Sequence, residues 1–226
     1  MLRGKLYGVG VGPGDKELIT LKALRVLREA DIIASPVTKG GGRAAFDIIK
    51  DHVCGKEIIE FFMPMSRDYE ELDRNYKEIA DKIEELLSEG KNIAFITLGD
   101  VTIYSTYMRI DRLINERGFE TELIPGIPSF CAAAARLDIS LCERDEPLVI
   151  LPAGCGTADE LADMYGTKVY MKAGRGAAEL VDTLREKGKL GDTVMAERCG
   201  MENERIIRDL NGFNENSSYF SLFIVK

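Results

Sequence analysis

The sequence predicts an α/β protein with two α/β domains. Over residues 1–124, short apolar segments alternate with segments of helical periodicity, which is typical of a doubly wound, mostly parallel five-stranded sheet. After residue 192, three strand candidates follow one another with only short turns between them, which favours antiparallel pairing. We therefore expect an N-terminal α/β domain over residues 1–124 and a C-terminal α/β domain with a mixed sheet over residues 125–226.

The elements of the first domain are bounded by glycine, proline or charged residues. Its strands are expected at residues 5–10, 31–36, 57–63, 92–98 and 120–126, and its helices at 17–30, 44–53, 67–89 and 104–118. The apolar face of the first helix repeats at helical spacing and consists of Leu18, Leu21, Leu24 and Leu27. Pro36 is expected to end the second strand, and Gly118 to cap the fourth helix.

The second domain has a different order of elements. Its helices are expected at residues 129–138 and 177–188. Its strand candidates are residues 148–153, 168–173, 193–199, 205–210 and 219–226. No internal repeat interrupts this pattern, so a single C-terminal sheet is the simplest arrangement.

Composition excludes several classes of function. The net charge of -8 disfavours a nucleic-acid partner. The apolar segments are too short to span a membrane, and the first residues do not resemble a signal peptide. The five cysteines are odd in number and scattered, which indicates reduced thiols. We therefore expect a cytoplasmic enzyme or binding protein with no nucleic-acid or membrane partner.

Residues 8–15, GVGVGPGD, form a glycine-rich loop, but their spacing does not fit a dinucleotide-binding loop. The fingerprint G-x-G-x-x-G would place its last glycine at Pro13 or Asp15. The acidic residue expected after the second strand is absent from residues 34–36, and Asp15 adds negative charge where a phosphate would bind. The loop indicates close approach of the backbone to a ligand, or a plain turn with Asp15 as N-cap.

Two further loops follow predicted parallel strands, at residues 97–106 (TLGDVTIYST) and 124–135 (IPGIPSFCAAAA). Open α/β sheets bind ligands at the carboxyl ends of their strands. Together with residues 10–21, these loops resemble the class III, S-adenosylmethionine-dependent tetrapyrrole methyltransferases of cobalamin and sirohaem synthesis. The resemblance covers essentially the whole chain. One departure is Val101, because the family usually has proline after Gly-Asp.

Four stretches are similar to the branch of that family that methylates carbon 20 of precorrin-2 or cobalt-factor II. They are residues 62–65, 104–106, 126–130 and 219–221. The sequence does not distinguish the cobalt-containing from the metal-free substrate. Two alternatives stay open: a methyltransferase of the same fold that acts at another tetrapyrrole carbon or on a protein side chain, and a non-catalytic nucleotide-binding domain.

The resemblance implies that S-adenosylmethionine lies folded in a cleft between the two domains, held mainly by backbone groups. The cofactor-binding residues implied in this way are Pro13, Gly99, Asp100, Ile103, Tyr104, Ser105, Thr106, Ser129, Phe130, Met171, Cys199, Gly200, Phe220 and Ser221. Met171 is equally consistent with a core methionine, and Cys199 with a structural role.

Methyl transfer needs few catalytic groups from the protein, because the sulfonium of S-adenosylmethionine is already an activated methyl donor. Positioning and exclusion of water are expected to supply most of the catalysis. A base is needed only to remove the proton from the methylated carbon. Asp100 and Glu197 are candidates, but a structural hydrogen bond is the favoured role for each, so the catalytic residue is unknown.

The implied substrate carries many carboxylates, so an acidic chain must place cations locally. The substrate-binding candidates are Lys39, Arg43, Arg136 and Lys172, with the loop from Lys39 to Arg43 as the best of them. No spaced set of Cys and His indicates a metal site. The resemblance implies a homodimer, and the apolar LFIV segment near residue 224 also suggests one.

Overall fold

The computed structural model describes residues 3–38, 42–64, 66, 68–154, 158–213 and 217–226. The chain divides into two compact units, Met1–Pro128 and Ser129–Lys226. The division lies a few residues beyond the boundary expected from the sequence. Each unit has its own sheet, and the two are described separately.

The first unit is a doubly wound α/β domain. Its strands are β1 (Leu6–Gly10), β2 (Ile32–Val37), β3 (Glu57–Phe62), β4 (Ile93–Thr97) and β5 (Thr121–Ile124). Its helices are α1 (Leu21–Glu29), α2 (Ala44–Ile49), α3 (Tyr69–Ser88) and α4 (Tyr107–Glu116). The strand order is β3-β2-β4-β1-β5, and every pair is parallel. The predicted five-stranded parallel sheet is therefore confirmed.

The two faces of this sheet carry separate apolar cores. On one face, buried residues of β1 and β4 pack with α3 and α4, for example Leu6 with Ile83 and Ile110. On the other face, Val9 packs in a cluster that includes Leu27 of α1 and Ile49 of α2. Because helices cover both faces, the edges at the strand ends are the places left for a ligand.

The first helix begins later than the leucine spacing predicts. Asp15 caps only a short 3₁₀ turn, where its side chain accepts a hydrogen bond from Glu17 N at 2.9 Å. Thr20 is the N-cap of α1, and its hydroxyl accepts from Ala23 N at 3.1 Å. Leu21 is then 86% exposed, so the predicted stripe of four leucines was wrong. The buried face of α1 consists of Ala23, Val26 and Leu27.

Two other boundaries differ from the sequence-based prediction, and one agrees. Pro36 does not end β2, which continues to Val37. The ladder to β4 ends at Ala34, so Pro36 pairs with β3 alone, where a missing N–H is tolerated. The α-helix of residues 44–53 shortens to α2 and a 3₁₀ turn that contains His52. Gly118 follows α4 with a φ of 78°, as expected of a helix-ending glycine.

The second unit has a mixed sheet. Its strands are β6 (Leu148–Pro152), β7 (Thr167–Met171), β8 (Thr193–Glu197), β9 (Arg205–Ile207) and β10 (Ser221–Val225). Its helices are α5 (Ser129–Leu137), α6 (Ala158–Ala162) and α7 (Ala177–Glu186), of which α6 was not predicted. The order is β6-β7-β10-β8-β9, with β6 and β7 parallel and all other pairs antiparallel.

The apolar LFIV segment lies inside this sheet. Leu222, Phe223, Ile224 and Val225 belong to β10, which pairs with β7 on one side and β8 on the other, and all four are buried. The segment therefore offers no surface to a second chain, and that argument for a dimer was wrong. Separately, no helix among the described residues has both the length and the apolar composition of a membrane span.

Candidate functional site

The loops after β1, β4 and β5 lie side by side, because these three strands are consecutive in the sheet. The first contact between them is a short antiparallel bridge from Gly12 to Gly99. Gly99 N donates to Gly12 O at 2.7 Å, and Gly12 N donates to Gly99 O at 3.3 Å. Both glycines have positive φ, 86° at Gly12 and 74° at Gly99, which explains why small residues occur there.

A second contact joins the same loops to the loop after β5. A Cβ on Gly10 would lie 2.7 Å from Gly99 O and from Gly126 N. A Cβ on Gly126 would overlap Gly99 O, and would lie 2.7 Å from the carbonyl carbon of Gly10. Three backbones therefore pack directly on one another. At Gly10 and Gly126 the absence of a side chain allows this close approach of protein backbone.

Asp100 fastens this junction with its carboxylate. Asp100 Oδ2 accepts from Gly126 N at 2.9 Å, while Oδ1 accepts from Thr102 N at 2.8 Å and from Thr102 Oγ1 at 2.5 Å. Burial acts to raise the pKa of Asp100, but the hydrogen bonds from Thr102, Gly126 and Val101 outweigh it and hold the pKa below the ordinary value. An ionised carboxylate with both oxygens occupied is suited to positioning and is a poor general base.

The loop of residues 101–106 continues from this anchor to α4. Val101 is fully buried, so it keeps the loop in place where the family usually has proline. Ser105 Oγ lies 3.1 Å from Thr97 Oγ1 and accepts from Tyr107 N at 3.2 Å, so Ser105 ties the start of α4 to β4. Tyr104 has a φ of 49°, which is costly for an aromatic residue, and its side chain is exposed.

The open part of this edge is the space beside Gly99. A Cβ built on Gly99 meets only Ile127 O, at 3.9 Å. Thr102, Tyr104 and Thr106 are exposed nearby in sequence, and Ile103 is partly buried. Pro13 is buried within the loop after β1. The first unit therefore presents a rigid backbone surface with few charges, which suits a ligand held by main-chain groups.

The other predicted cofactor residues lie in the second unit. Ser129 and Phe130 begin α5, with Ser129 partly buried and Phe130 buried. Met171 ends β7, and Cys199 and Gly200 follow β8. Phe220 and Ser221 lie at the start of β10 between those two strands. Met171, Cys199, Gly200, Phe220 and Ser221 thus share one edge of the second sheet, a grouping that sequence spacing alone did not reveal.

Glu197, the other candidate base, is also engaged in internal bonds. It is 6% exposed at the end of β8. Its Oε1 accepts from Ser218 N, and its Oε2 accepts from Arg205 Nη1 at 3.1 Å. Glu197 therefore links the start of β10 to β9, and it has the structural role that the sequence left open.

Glu204 is a positioning residue that sequence reasoning missed. Its Oε2 accepts from Gly200 N at 2.7 Å, and its Oε1 accepts from Arg136 Nε at 2.7 Å. Burial acts to raise the pKa of Glu204, but the bonds from Gly200, Arg136 and the Cys199 thiol outweigh it and lower the pKa. This carboxylate therefore fixes the turn after β8 against α5. An isolated glutamate between two polar residues gave no signal of that role.

The four predicted substrate-binding cations have different surroundings. Lys39 lies outside the described residues. Arg43 Nη1 forms an ion pair with Glu60 at 2.7 Å and its guanidinium lies over the ring of Phe46. Arg136 is bonded to Glu204, as above. Lys172 Nζ lies 5.5 Å from the centre of the Tyr219 ring, at the carboxyl end of β7. The structure thus gives Arg43 and Arg136 partners inside their own units.

Metal ligands do not cluster in the described part of the chain. No group of three or more His, Cys, Asp or Glu side chains there could hold a metal ion. Among the described cysteines, Cys54, Cys131, Cys142 and Cys199 are reduced and form no disulfide bond.

Comparison with known proteins identifies the family of this chain and finds solved structures with the same fold. The model of the tetrapyrrole (corrin/porphyrin) methylases matches residues 5–212. A probable cobalt-precorrin-2 C(20)-methyltransferase of Methanocaldococcus jannaschii is 40% identical over 98% of this chain and 96% of its own length. A precorrin-2 C(20)-methyltransferase of a Sinorhizobium species is 30% identical over 98% of this chain and 95% of its own.

A solved structure supports the fold independently. Uroporphyrin-III C-methyl transferase from Thermus thermophilus, complexed with S-adenyl homocysteine, has a TM-score of 0.71 at 20% identity, over 98% of this chain and 97% of its own. This two-unit α/β chain, with glycine-built loops at the carboxyl edge of its parallel sheet, shares its fold with that structure, and its sequence identifies it as a methylase. The chain belongs to the tetrapyrrole (corrin/porphyrin) methylase family.

Proposed function

We propose that this chain transfers a methyl group from S-adenosylmethionine to carbon 20 of a precorrin-2-type tetrapyrrole in cobalamin synthesis. The observation that carries the proposal is the junction of Gly10, Gly12, Gly99 and Gly126, where three loops present backbone at one sheet edge. The substrate is inferred from the full-length relatives, whose names specify methylation of precorrin-2 or cobalt-precorrin-2 at carbon 20.

The cofactor is proposed on two grounds. The relative of known structure was solved with S-adenyl homocysteine, the product that remains when S-adenosylmethionine has lost its methyl group. The open space beside Gly99 and the uncharged backbone around it suit a nucleoside held by main-chain groups. The first-unit residues proposed to contact it are Gly99, Ile103, Tyr104 and Thr106, with Asp100 and Ser105 holding the loop in position.

The proposed mechanism depends on positioning. S-adenosylmethionine, when bound, supplies an activated methyl group, so the residues of this chain need only orient the two reactants and exclude water. Asp100 and Glu197 have both oxygens occupied by internal hydrogen bonds, so neither is assigned as the base. We propose that the proton of the methylated carbon passes to solvent water once the product leaves the site, without a dedicated side chain as base.

The proposal is tested with the purified chain and two ligands. Calorimetry with S-adenosylhomocysteine should show saturable binding. Anaerobic turnover with precorrin-2 and with cobalt-precorrin-2 should then add one methyl group to the preferred substrate, which isotopic labelling and NMR should locate at carbon 20. Binding without methylation of either substrate would point to another tetrapyrrole, and absence of binding would reject the cofactor.

The homodimer is a separate proposal that rests on the family resemblance. The LFIV segment does not support it, because β10 is buried. Sedimentation velocity at micromolar concentration should give the mass of two chains. A mass of one chain would contradict it, without any consequence for the proposed reaction.

A further inference from the structure

Two cations lie directly after the ends of the two strands that flank β10 in the second sheet. Lys172 follows β7, and Arg198 follows β8. Both strands are antiparallel to β10, so they run in the same direction and end at the same edge. β10 begins between them, which places the two residues two strand spacings apart, about 10 Å. The edge therefore carries two positive charges on either side of Phe220 and Ser221.

Both residues have a backbone conformation that is uncommon for their type. The φ angle is 57° at Lys172 and 54° at Arg198. Residues other than glycine lose about 1 kcal/mol or more in this region. Strained positions of this kind concentrate where a side chain must be aimed at a ligand. Two main-chain hydrogen bonds hold Arg198 in this conformation. Arg198 N donates to Phe220 O at 2.8 Å, and Arg198 O accepts from Met201 N at 2.8 Å.

Within the described residues, the guanidinium of Arg198 forms a hydrogen bond at Nε and none at its two terminal nitrogens. Its Nε donates to Glu202 O at 2.9 Å. No carboxylate in the described part of the chain pairs with it, and the side chain is partly buried. Arg43 and Arg136, which the sequence favoured, are ion-paired at 2.7 Å to Glu60 and Glu204. Arg198 therefore offers an oriented fork of N–H donors of the kind that binds a carboxylate in two places.

The surroundings of Arg198 suit a large, flat anion. Tyr219 and Phe220 are exposed by 41% and 37%, and their rings meet edge to face with centres 5.6 Å apart. Exposed aromatic rings next to a cation offer apolar contact and charge to the same ligand. The chain as a whole carries a net charge of -8, which repels a polycarboxylate, so local cations are needed to bind one.

We propose that Arg198 binds a peripheral carboxylate of the tetrapyrrole substrate. This inference rests on the proposed function and adds a substrate-binding residue to it. Lys172 contributes a second charge on the far side of β10, and Tyr219 contributes the apolar contact. The proposal moves the main carboxylate contact of the second unit from Arg136, which holds Glu204, to Arg198.

The test compares Arg198→Gln with a matched control. Arg144→Gln removes the same charge from the same unit, at an exposed residue with a φ of 51°. Arg144 precedes β6, which is parallel to β7, so it lies towards the opposite edge of the sheet from Arg198. Arg198→Lys keeps the charge but loses the fork. For each variant, KM is measured separately for the tetrapyrrole and for S-adenosylmethionine, and calorimetry gives the affinity for S-adenosylhomocysteine.

Arg198→Gln should raise the tetrapyrrole KM by about tenfold or more. The KM of Arg198→Lys should lie between those of wild type and Arg198→Gln, and the KM of Arg144→Gln should equal that of wild type. The KM for S-adenosylmethionine and the affinity for S-adenosylhomocysteine should stay at the wild-type values. A wild-type tetrapyrrole KM in Arg198→Gln would overturn this inference and leave the proposed function standing. The same holds if Arg144→Gln raises that KM as much as Arg198→Gln does. A wild-type chain that methylates no tetrapyrrole would overturn the proposed function and this inference with it.

Discussion

Asp100 Oδ2 accepts a hydrogen bond from the main-chain N–H of Gly126 at 2.9 Å. This bond joins the loop after β4 to the loop after β5, while the bridge from Gly99 to Gly12 joins it to the loop after β1. One carboxylate and three glycine backbones thus hold the ligand edge of the first sheet in a single arrangement.

Asp100→Asn should lower the free energy of unfolding by about 1–3 kcal/mol, because the partly buried N–H of Gly126 loses a charged acceptor. Urea unfolding at about pH 7 measures the change. Asp47→Asn, which alters an exposed carboxyl of α2, is the control and should stay close to wild type. Equal stability of Asp100→Asn and wild type would show that the bond is dispensable.

The same residue predicts a dependence of stability on pH. The pKa of Asp100 is lower in the folded chain than its ordinary value of 3.8, so the unfolded chain binds more protons in the window between the two. The contribution of Asp100 to stability is complete above that ordinary value and is lost as the pH falls through the folded pKa. Wild type should therefore lose more stability on acidification below about pH 4 than Asp100→Asn does. Parallel acid titrations of unfolding would contradict this.

Gly126→Ala should destabilise the first unit, because its Cβ would overlap the backbone of Gly99. Backbone atoms cannot swing aside, so we expect a loss of about 2 kcal/mol or more together with weaker binding of S-adenosylhomocysteine. Gly191→Ala is the control, since a Cβ there meets nothing within 4 Å. Thermal unfolding compares the two variants, and a similar melting temperature for both would show that the three loops can separate without cost.

Gly99→Asn tests the open space beside the bridge. Asparagine tolerates the positive φ of Gly99, so the fold should persist while the new side chain occupies the proposed cofactor space. Affinity for S-adenosylhomocysteine should fall by about tenfold or more. Gly118→Asn has the same change at a φ of 78° after α4 and should bind normally. Normal binding by Gly99→Asn would move the cofactor away from this loop.

Glu204→Gln tests the turn after β8. The variant keeps the shape but weakens the bonds from Gly200 N and Arg136 Nε, so the turn that carries Cys199 should loosen. If Cys199 and Gly200 contact the cofactor, as the family resemblance implies, the KM for S-adenosylmethionine should rise about tenfold with little change in kcat. Glu202→Gln, an exposed neighbour whose side chain has no bond partner in the described structure, is the control. A change in kcat alone would assign Glu204 to the reaction itself.

The sequence predicted the parallel sheet well because β1 to β5 are short buried runs separated by long helices. It failed where a local cap or the shortness of an element outweighs the apolar pattern. Leu21 has helical spacing yet is exposed, since Thr20 starts α1 just before it. The five residues of α6 are too few to show a period.

The site was predicted in part for a similar reason. Glycine-rich loops after parallel strands indicate a ligand edge, so the positions of Gly99 and Asp100 could be inferred. The pairing of Glu204 with Arg136 joins residues far apart in sequence, and spacing gives no measure of it. Arg198 is distinguished from other arginines only by its strand-end position and its unpaired nitrogens, which exist only in the folded chain.

The order of synthesis has a consequence for the second unit. β10 is made after the other four strands, yet it lies in the middle of their sheet and alone joins β7 to β8. On the ribosome, β6 with β7, and β8 with β9, exist first as two separate pairs with unpaired edges. The first unit can complete its sheet before β10 is made. Until then β7 and β8 each keep an unpaired edge, which chaperones or other strands can bind.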